Sequence, residues 1–546
     1  MSLASRVVKQ AVREWRHGCR SLHSKTIAPA QRRPVLAALV SGGVVLGVYA
    51  GYTSLSPVQL DTPASRKKKT KQSPNAPKYI SYEEVQKHNT PESCWVIIDG
   101  QVYDATSVLR WHPAGPNVIL KHSGQDATKA FVPAHPPNIL SHLPPEAHLG
   151  PVDPETMPKE RVELTPDEIR VAEARKALPP PSAALNLYDI EQFAEKVMTA
   201  TAWAYYRSTA DDENTYWENS DAYRRFWFRP RVLRKISHIS TATTMVGLPT
   251  SLPIYISPSA LARLGHPDGE MNMVRAAGEA GITQGISHHA SCSTEEIMSV
   301  KSSQQDLMYQ MYMPKDRNAA KDLIKKAERA GYKALILTVD TAVTGKRELD
   351  MRLKQSSMNV AVATGKATVD GLGIAHSIGF AKDPDVCWDD IPWIRSVTRL
   401  PLIIKGIQSV EDAELALDKY KVDAIVLSNH GGRQLDYAPA PLTVLHELHE
   451  RRPDLLRKHE VYIDGGIRRG TDVLKALCLG ARAVGLGRPF LYANGVWGEE
   501  GCRRVIQILR EEIETGMRLL GVTSVDQLTP DLIRYVDRDP GPRRRS

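Results

Sequence analysis

The chain has few cysteines, and none of them lies in a spacing used to hold a metal or to attach haem covalently. Six cysteines are scattered over 546 residues, and no two of them are separated by two residues. This spacing excludes a zinc ribbon and c-type haem attachment, and we interpret these side chains as small buried hydrophobic groups. A content of 42% hydrophobic and 24% charged residues excludes a mainly disordered, collagen-like or polytopic membrane chain.

Acidic residues are nearly absent from the first 76 residues. This segment holds thirteen Lys and Arg residues against only Glu14 and Asp61, whereas the rest of the chain has 58 Lys and Arg against 60 Asp and Glu. The formal charge of +9 therefore belongs to the N-terminal segment. We expect no nucleic-acid partner for the folded body.

Residues 1–76 are interpreted as a targeting segment followed by a linker. The basic, acid-poor stretch 1–33 is typical of a mitochondrial presequence. Residues 35–52 carry no charge, and their number is close to the ~20 residues of a membrane span. Together they resemble the bipartite signal of proteins of the mitochondrial intermembrane space. A permanent single-span anchor is the alternative, and membrane contact is expected only through 35–52.

Proline-rich stretches divide the rest of the chain into two folded segments. The first segment covers 77–150, a linker covers 151–184, the second segment covers 185–535, and a basic tail covers 536–546. Within the second segment, 351–385 lacks a strand-like run. We predict that this stretch is a long loop, either a mobile lid or a protease-sensitive excursion.

The second segment contains eight short apolar runs, most of them separated by helical patterns. Buried parallel strands have continuous apolar sequences, and eight strand–helix units in this length predict an α/β TIM barrel, (β/α)8. A doubly wound sheet is the alternative, but no G-x-G-x-x-G follows the first run. The predicted strands are Leu252–Ser257, Ile282–Ser287, Met308–Tyr312, Ala334–Asp340, Leu400–Gly406, Asp423–Asn429, Val461–Gly465 and Ala483–Gly487.

Polar residues end these runs, and the carboxyl ends of barrel strands meet on one face. The most informative stretch is 428–436, Ser-Asn-His-Gly-Gly-Arg-Gln-Leu-Asp. Its His430 suits a base and its Arg433 suits bidentate binding of a carboxylate, a pairing that fits a 2-hydroxy acid. Glycine-rich stretches after the last two strands predict binding of a phosphate-bearing cofactor. The candidates are Gly465, Gly466, Arg468, Gly487 and Arg488.

In the first segment, His112 and His135 flank a helical stretch and suit ligation of haem iron from opposite faces. The runs 94–104 (Cys-Trp-Val-Ile-Ile-Asp-Gly-Gln-Val-Tyr-Asp), 112–115 (His-Pro-Ala-Gly) and 123–128 (Ser-Gly-Gln-Asp-Ala-Thr) resemble the cytochrome b5 family over the whole segment. The resemblance implies a small α+β domain that holds haem b non-covalently. It also implies that His112 and His135 are the axial ligands.

Residues 185–525 resemble the FMN-dependent L-2-hydroxy acid dehydrogenase/oxidase family through the motifs around His430 and Asp464. The resemblance implies that His430 is the catalytic base and that Asp340 pairs with it and raises its pKa. It further implies substrate binding by Arg433, Tyr205 and Tyr312, with Arg347 as a second, more mobile cation. Lys405 would stabilise negative charge at the N1/O2 edge of FMN. The remaining implied cofactor contacts are Pro258, Ser259, Ala260, Ser287, Gln310 and Thr338, with Asp464 near the ribityl or phosphate group.

A haem segment in front of such a barrel resembles the flavocytochrome members of this family. They imply oxidation of L-lactate or a related L-2-hydroxy acid to the 2-keto acid by FMN, with electrons passing through haem to cytochrome c, in a homotetramer. The α-hydrogen leaves either as hydride or as a proton taken by His430. The alternatives are an oxidase that uses O₂ with little haem involvement, and a non-enzymatic membrane-anchored haem-binding adaptor.

One residue departs from the pattern for lactate. His289 occupies a position where that pattern usually has Leu, and it is expected to face the side chain of the substrate. A polar ring at this position would admit a larger or more polar 2-hydroxy acid.

Overall fold

The computed structural model describes residues 79–110, 112, 116–136, 139–158, 164–353 and 382–537. The predicted presequence, the apolar stretch 35–52, most of the predicted loop 351–385 and nearly all of the basic tail lie outside the described residues. Within the described ranges, none of the helices combines the length and the hydropathy that a membrane span requires.

The N-terminal domain contains a four-stranded antiparallel sheet with strands in sequence order. A tight turn joins its two central strands, where Asp99 and Gly100 have φ of 51° and 73°, as a two-residue hairpin of this hand requires. The strands are β1 (Asn89–Thr90), β2 (Ser93–Ile98), β3 (Gln101–Asp104) and β4 (His148–Pro151), and the helices are α1 (Tyr82–Lys87), α2 (Pro116–Leu120) and α3 (Thr128–Phe131).

Strand β2 separates two small hydrophobic cores, because successive side chains point to opposite faces of a sheet. Val96 and Ile98 pack in one core with Leu109 and with Phe131 of α3. Ile97 packs on the other face with residues of α1 and β3. The first core therefore lies beside the segment that carries His135.

Part of the predicted linker 151–184 is helical, and the N-terminal domain extends slightly beyond residue 150. Val152 forms a bridge with Ile80, and helix α4 covers Pro166–Lys176. A capping box between Thr165 and Glu168 begins this helix, which explains why a helix forms in a proline-rich stretch. Arg170 of α4 donates hydrogen bonds of 2.6 Å to the carbonyls of Lys196 and Met198.

The second domain is a closed barrel of eight parallel strands, which confirms the predicted fold. The eight strands coincide with the eight apolar runs, with ends displaced by a few residues. They are β8 (Ile254–Ile256), β9 (Thr283–Ser287), β10 (Leu307–Met311), β11 (Ala334–Thr338), β12 (Leu402–Ile407), β13 (Ala424–Leu427), β14 (Glu460–Asp464) and β15 (Ala483–Leu486).

Helices and two short strand pairs surround the barrel. The strand pairs are β5 (Phe226–Phe228) with β16 (Ile533–Tyr535), and β6 (Thr243–Met245) with β7 (Leu248–Thr250). The helices are α5 (Leu187–Val197), α6 (Ala200–Arg207), α7 (Asn214–Arg224), α8 (Glu270–Ala280), α9 (Thr294–Val300), α10 (Arg317–Ala330), α11 (Asp390–Val397), α12 (Val410–Glu414), α13 (Pro441–Arg451), α14 (Pro453–Lys458), α15 (Gly470–Cys478), α16 (Arg488–Trp497) and α17 (Glu499–Leu520).

The barrel interior is packed with side chains, and one hairpin closes its amino-terminal end. In β11, Ala334 and Ile336 belong to the inner cluster, whereas Leu335 and Leu337 belong to the outer core with the helices. Met245 of the β6–β7 hairpin packs into the inner cluster. Since that end is filled, the open end lies at the carboxyl ends of the strands, where such barrels hold their active sites.

Candidate active site

The carboxyl ends of the barrel strands surround one cavity of about 1120 Å³, its mouth included. Every predicted substrate- or cofactor-binding residue of the barrel lines this cavity, as does His430. Asp340 lies directly behind His430 and is fully buried. The lining residues among the predicted set are Tyr205, Pro258, Ser259, Ala260, Ser287, Gln310, Tyr312, Thr338, Arg347, Lys405, His430, Arg433, Asp464, Gly465, Gly466, Arg468, Gly487 and Arg488.

The loop after β13 presents His430 to the cavity in an unusual backbone conformation. His430 has φ of 57°, and Gly431 and Gly432 follow with φ of 67° and 76°. Nδ1 of His430 hydrogen-bonds Oδ1 of Asp340 at 2.7 Å. A carboxylate accepts hydrogen bonds, so Nδ1 carries the proton and Nε2 is left as the basic nitrogen.

Burial lowers the pKa of His430 to about 4, although the charge of Asp340 and its hydrogen bond act in the opposite direction. Pairing with Asp340 raises this pKa as expected, but desolvation of the imidazolium outweighs the ion pair, so the net shift is downward. The imidazole is neutral at pH 7 and can accept a proton.

A buried cation connects Asp340 to the end of β14. Nζ of Lys405 donates a 2.8 Å hydrogen bond to Oγ of Ser428, and it lies 3.7 Å from Asp340 and 3.4 Å from Asp464. Burial opposes the charge of Lys405, but the two carboxylates hold its pKa above the ordinary value. Lys405 therefore stays cationic at the floor of the cavity, where it can stabilise negative charge.

Two arginines share one wall of the cavity. Arg433 donates a hydrogen bond to the carbonyl of Tyr205, and its Nε has no hydrogen-bond partner among the described atoms. Arg347 is only 6% exposed and donates to the carbonyl of Arg433 at 3.2 Å and to Gln434 at 3.0 Å. The structure therefore holds Arg347, expected to be the more mobile cation, by two hydrogen bonds. Burial lowers the pKa of Arg433 to about 10, with a further lowering from Arg347, so the guanidinium stays charged at neutral pH.

The other end of the cavity suits a phosphate. Gly465 and Gly466 have φ of 92° and 78°, and helix α16 begins at Arg488 beside them, so that backbone amides and a helix N-terminus face this end. Arg488 donates to the carbonyls of Tyr206, Ser208 and Gly431 at 2.9–3.0 Å. Its predicted role as a phosphate ligand stays a prediction.

Two buried polar atoms in the cavity have no hydrogen-bond partner within the described ranges and could bind a cofactor. Oγ of Ser257 and Oδ1 of Asp464 lack partners among the described atoms, although burial of such groups is costly unless a partner is provided. Both residues line the cavity. The residues present therefore fit a polar ring system that carries a phosphorylated chain, as FMN does.

In the N-terminal domain, His112 and His135 face each other. Their ring centroids lie 5.9 Å apart, which leaves space for one metal ion bonded to a nitrogen of each ring at the ~2 Å typical of metal–imidazole bonds. Nδ1 of His135 lies 3.0 Å from the carbonyl of Phe131. Because a carbonyl accepts, Nδ1 carries the proton and Nε2 is free for iron. The pair therefore fits a bis-histidine haem.

Comparison with known proteins agrees with this geometry. A model of the FMN-dependent dehydrogenases matches residues 194–535. The chain belongs to this family. A model of the cytochrome b5-like heme/steroid binding domain matches residues 81–153, so this dehydrogenase also carries a cytochrome b5-like domain, and its cofactors are FMN and haem.

Two yeast relatives match most of this chain. This dehydrogenase is 45% identical over 472 residues to the L-lactate dehydrogenase (cytochrome) of Saccharomyces cerevisiae. It is 44% identical over 459 residues to the L-lactate dehydrogenase (cytochrome) of Wickerhamomyces anomalus. Each match covers 83% of this chain and 79% of the relative. The flavin-binding domain of baker's yeast flavocytochrome b2 is 44% identical, with a TM-score of 0.62 over 68% of this chain and 91% of that one.

The cavity of this dehydrogenase also includes residues that the motifs did not reveal. Lys382 lines it, with Nζ 3.7 Å from the ring centroid of Tyr312. Lys382 lies within the predicted loop 351–385, and no sequence signal marks it as a site residue. Ile467 and Leu491 also line the cavity, but apolar side chains carry no chemical signature that could have distinguished them from the core.

Proposed function

We propose that this dehydrogenase oxidises L-lactate or a related L-2-hydroxy acid to the 2-keto acid and passes the electrons through its haem to cytochrome c. One observation carries the proposal. A neutral imidazole backed by Asp340 and a charged guanidinium, His430 and Arg433, come from one loop and line the same cavity. The names of the two yeast relatives support the choice of substrate and acceptor.

Each residue of the cavity has a distinct task in this proposal. Arg433 holds the carboxylate of the substrate in a bidentate manner, with Arg347 as a second charge behind it. Tyr312 hydrogen-bonds the hydroxyl group. Nε2 of His430 takes up one proton of the substrate, and Asp340 stabilises the imidazolium that results. Bound FMN supplies the acceptor for the two electrons, and Lys405 offers positive charge at the edge that becomes more negative.

The haem domain converts a two-electron oxidation into one-electron steps. His112 and His135 would hold the iron, and each substrate oxidised would reduce two molecules of cytochrome c. The N-terminal domain is the part of the chain suited to this task because both His112 and His135 would be used to hold the haem, which would then supply electron transfer and not binding of another molecule.

We also propose that the protein acts in the mitochondrial intermembrane space as a homotetramer. The basic stretch 1–33 and the uncharged stretch 35–52 support the location, and the family resemblance supports the tetramer. Fractionation of mitochondria and sedimentation of the purified holoenzyme test these two points separately.

The test of the function is an absorption spectrum of the purified holoenzyme, recorded without oxygen before and after L-2-hydroxy acids are added. Bleaching of the flavin followed by the spectrum of reduced haem supports the proposal, and reduction of added cytochrome c completes it. A protein whose flavin no L-2-hydroxy acid bleaches does not have this function. Oxygen uptake that equals the rate of cytochrome c reduction would favour the oxidase alternative.

A further inference from the structure

The end of the cavity around the Tyr312 ring is polar and positively charged. Two of its lining residues, His289 and Lys382, contact or face the ring of Tyr312. Nζ of Lys382 lies 3.7 Å from the ring centroid of Tyr312, and the ring of His289 lies 5.7 Å from the same ring. Because Tyr312 is the proposed partner of the substrate hydroxyl, this end would receive the side chain of the substrate.

One buried polar atom at this end lacks a hydrogen-bond partner in the part of the chain that the structure describes. Nε2 of His289 is buried and has no hydrogen-bond partner among the described atoms. The ring of the neighbouring His288 lies beside it at a tilt of 36°, with ring centroids 3.8 Å apart, and does not supply such a partner. A methyl group placed here, as in lactate, would leave Nε2 of His289 unsatisfied, which is unfavourable in a closed site.

The balance of charge in the cavity points the same way. Lys405 is neutralised by Asp340 and Asp464. Buried Asp350 offsets the charges of Arg347 and Arg433. In contrast, the carboxylate that acts on Lys382 is Asp340, which is already paired with Lys405 and His430. A substrate whose single carboxylate binds Arg433 brings no charge to Lys382, and a buried charge without a partner of its own is costly. A second anionic group would pair with Lys382.

We propose that the preferred substrate is an L-2-hydroxy dicarboxylate of four or five carbons, whose second carboxylate binds between His289 and Lys382. This inference rests on the proposed function and uses the same reaction. The carbon that carries the hydroxyl loses two electrons and two protons, a 2-keto dicarboxylate is formed, and the second carboxylate is unchanged. Arg433 binds the first carboxylate and Lys382 the second.

The protonation states are consistent with this assignment. Burial lowers the pKa of Lys382 to about 8, with a smaller lowering from Arg347 and an opposing effect of Asp340, so the ammonium is mostly charged at pH 7. Burial also holds the pKa of His289 well below its ordinary value. His289 is therefore neutral and can donate one N–H to a carboxylate while Lys382 supplies the charge.

The experiment compares substrates on the holoenzyme. Flavin bleaching and cytochrome c reduction are measured with L-malate, L-2-hydroxyglutarate, L-lactate and L-2-hydroxybutyrate, and kcat/KM is determined for each acid. We expect kcat/KM for one of the two dicarboxylates to exceed the values for the monocarboxylates L-lactate and L-2-hydroxybutyrate by about 30-fold, the factor expected for a buried charge pair. The variant Lys382→Met should remove this advantage, and His289→Leu should reduce it. Lys333→Met, at an exposed position outside the cavity, is the matched control and should leave all four values unchanged.

A binding measurement that does not depend on turnover accompanies the kinetics. The 2-keto dicarboxylate products and pyruvate are titrated against the oxidised flavin spectrum, and Lys382→Met should weaken the dicarboxylate by about 30-fold with little change for pyruvate. Flavin bleached best by the two monocarboxylates, or a dicarboxylate preference that survives in both variants, overturns the inference and leaves the proposed function intact. Flavin that no L-2-hydroxy acid bleaches refutes both.

Discussion

Nδ1 of His430 lies 2.7 Å from Oδ1 of Asp340, and the Asp340 side chain is fully buried behind the imidazole. The carboxylate comes from the residues after β11 and the imidazole from the loop after β13. Two neighbouring barrel segments on either side of β12 thus fix the tautomer of the base and its direction into the cavity. Lys405, on β12 itself, places its ammonium 3.7 Å from the Asp340 carboxylate.

The first prediction concerns the charge of Asp340. Asp340→Asn keeps the shape of the side chain but removes the negative charge that stabilises the imidazolium after proton uptake. We expect kcat/KM for the best L-2-hydroxy acid to fall on the order of 100-fold, with FMN still bound at full occupancy. Asp385→Asn, an exposed carboxylate, is the control and should retain wild-type activity. Unchanged kcat/KM in Asp340→Asn would show that the ion pair does not contribute to the reaction.

The second prediction concerns pH. Burial lowers the pKa of His430 to about 4, and the base works only when it is neutral. Activity should therefore be lost as pH falls through about 4. Between about pH 5.5 and 7 His430 stays neutral, so its titration should not change the activity in this range. The measurement is the pH profile of kcat/KM, with FMN content checked at each pH. An acid limb centred near 6.5, the ordinary value for a histidine, would contradict the effect of burial.

The third prediction separates the two cofactors. His112→Ala removes one of the two facing imidazoles and should abolish haem binding. We expect the purified variant to lack the haem spectrum, to show unchanged flavin bleaching by substrate, and to lose cytochrome c reduction. His148→Ala, an exposed histidine on β4, controls for the loss of an imidazole and should keep its haem. Undiminished cytochrome c turnover in the haem-free variant would mean that the flavin domain reduces cytochrome c directly.

The sequence predicted the barrel and most of the cavity because strand ends of a parallel barrel converge whatever their separation in the chain. His430 and Arg433 were recognisable because they follow a strand end and because an imidazole and a guanidinium together suit a 2-hydroxy acid. The sign of the His430 pKa shift was not predictable, since the sequence shows the acid that pairs with the base but not the depth at which both are buried. Lys382 was missed because it lies within the long stretch 351–385, which contains no motif. The helix Pro166–Lys176 was missed although its Thr165–Glu168 capping pattern is visible in the sequence.

The last prediction concerns the backbone that supports Asp340. Gly406 follows Lys405 on β12 with φ of 114°, and a Cβ at this residue would lie 2.6 Å from Cβ of Asp340. Gly406→Ala must therefore displace Asp340 and adopt an unfavourable backbone conformation as well. Gly331→Ala is the matched control, because Gly331 also has positive φ, 91°, but a Cβ there would meet nothing within 4 Å.

Backbone strain should lower the free energy of unfolding of both variants by about 1–3 kcal/mol, so both should unfold at a lower denaturant concentration than the wild type. Only Gly406→Ala should in addition lower kcat/KM, because only this substitution moves the carboxylate that orients His430. The comparison thus separates strain from positioning. Equal activity of the two variants, measured where both are fully folded and loaded with FMN, would show that Asp340 tolerates displacement and that its close packing on β12 is not needed for the reaction.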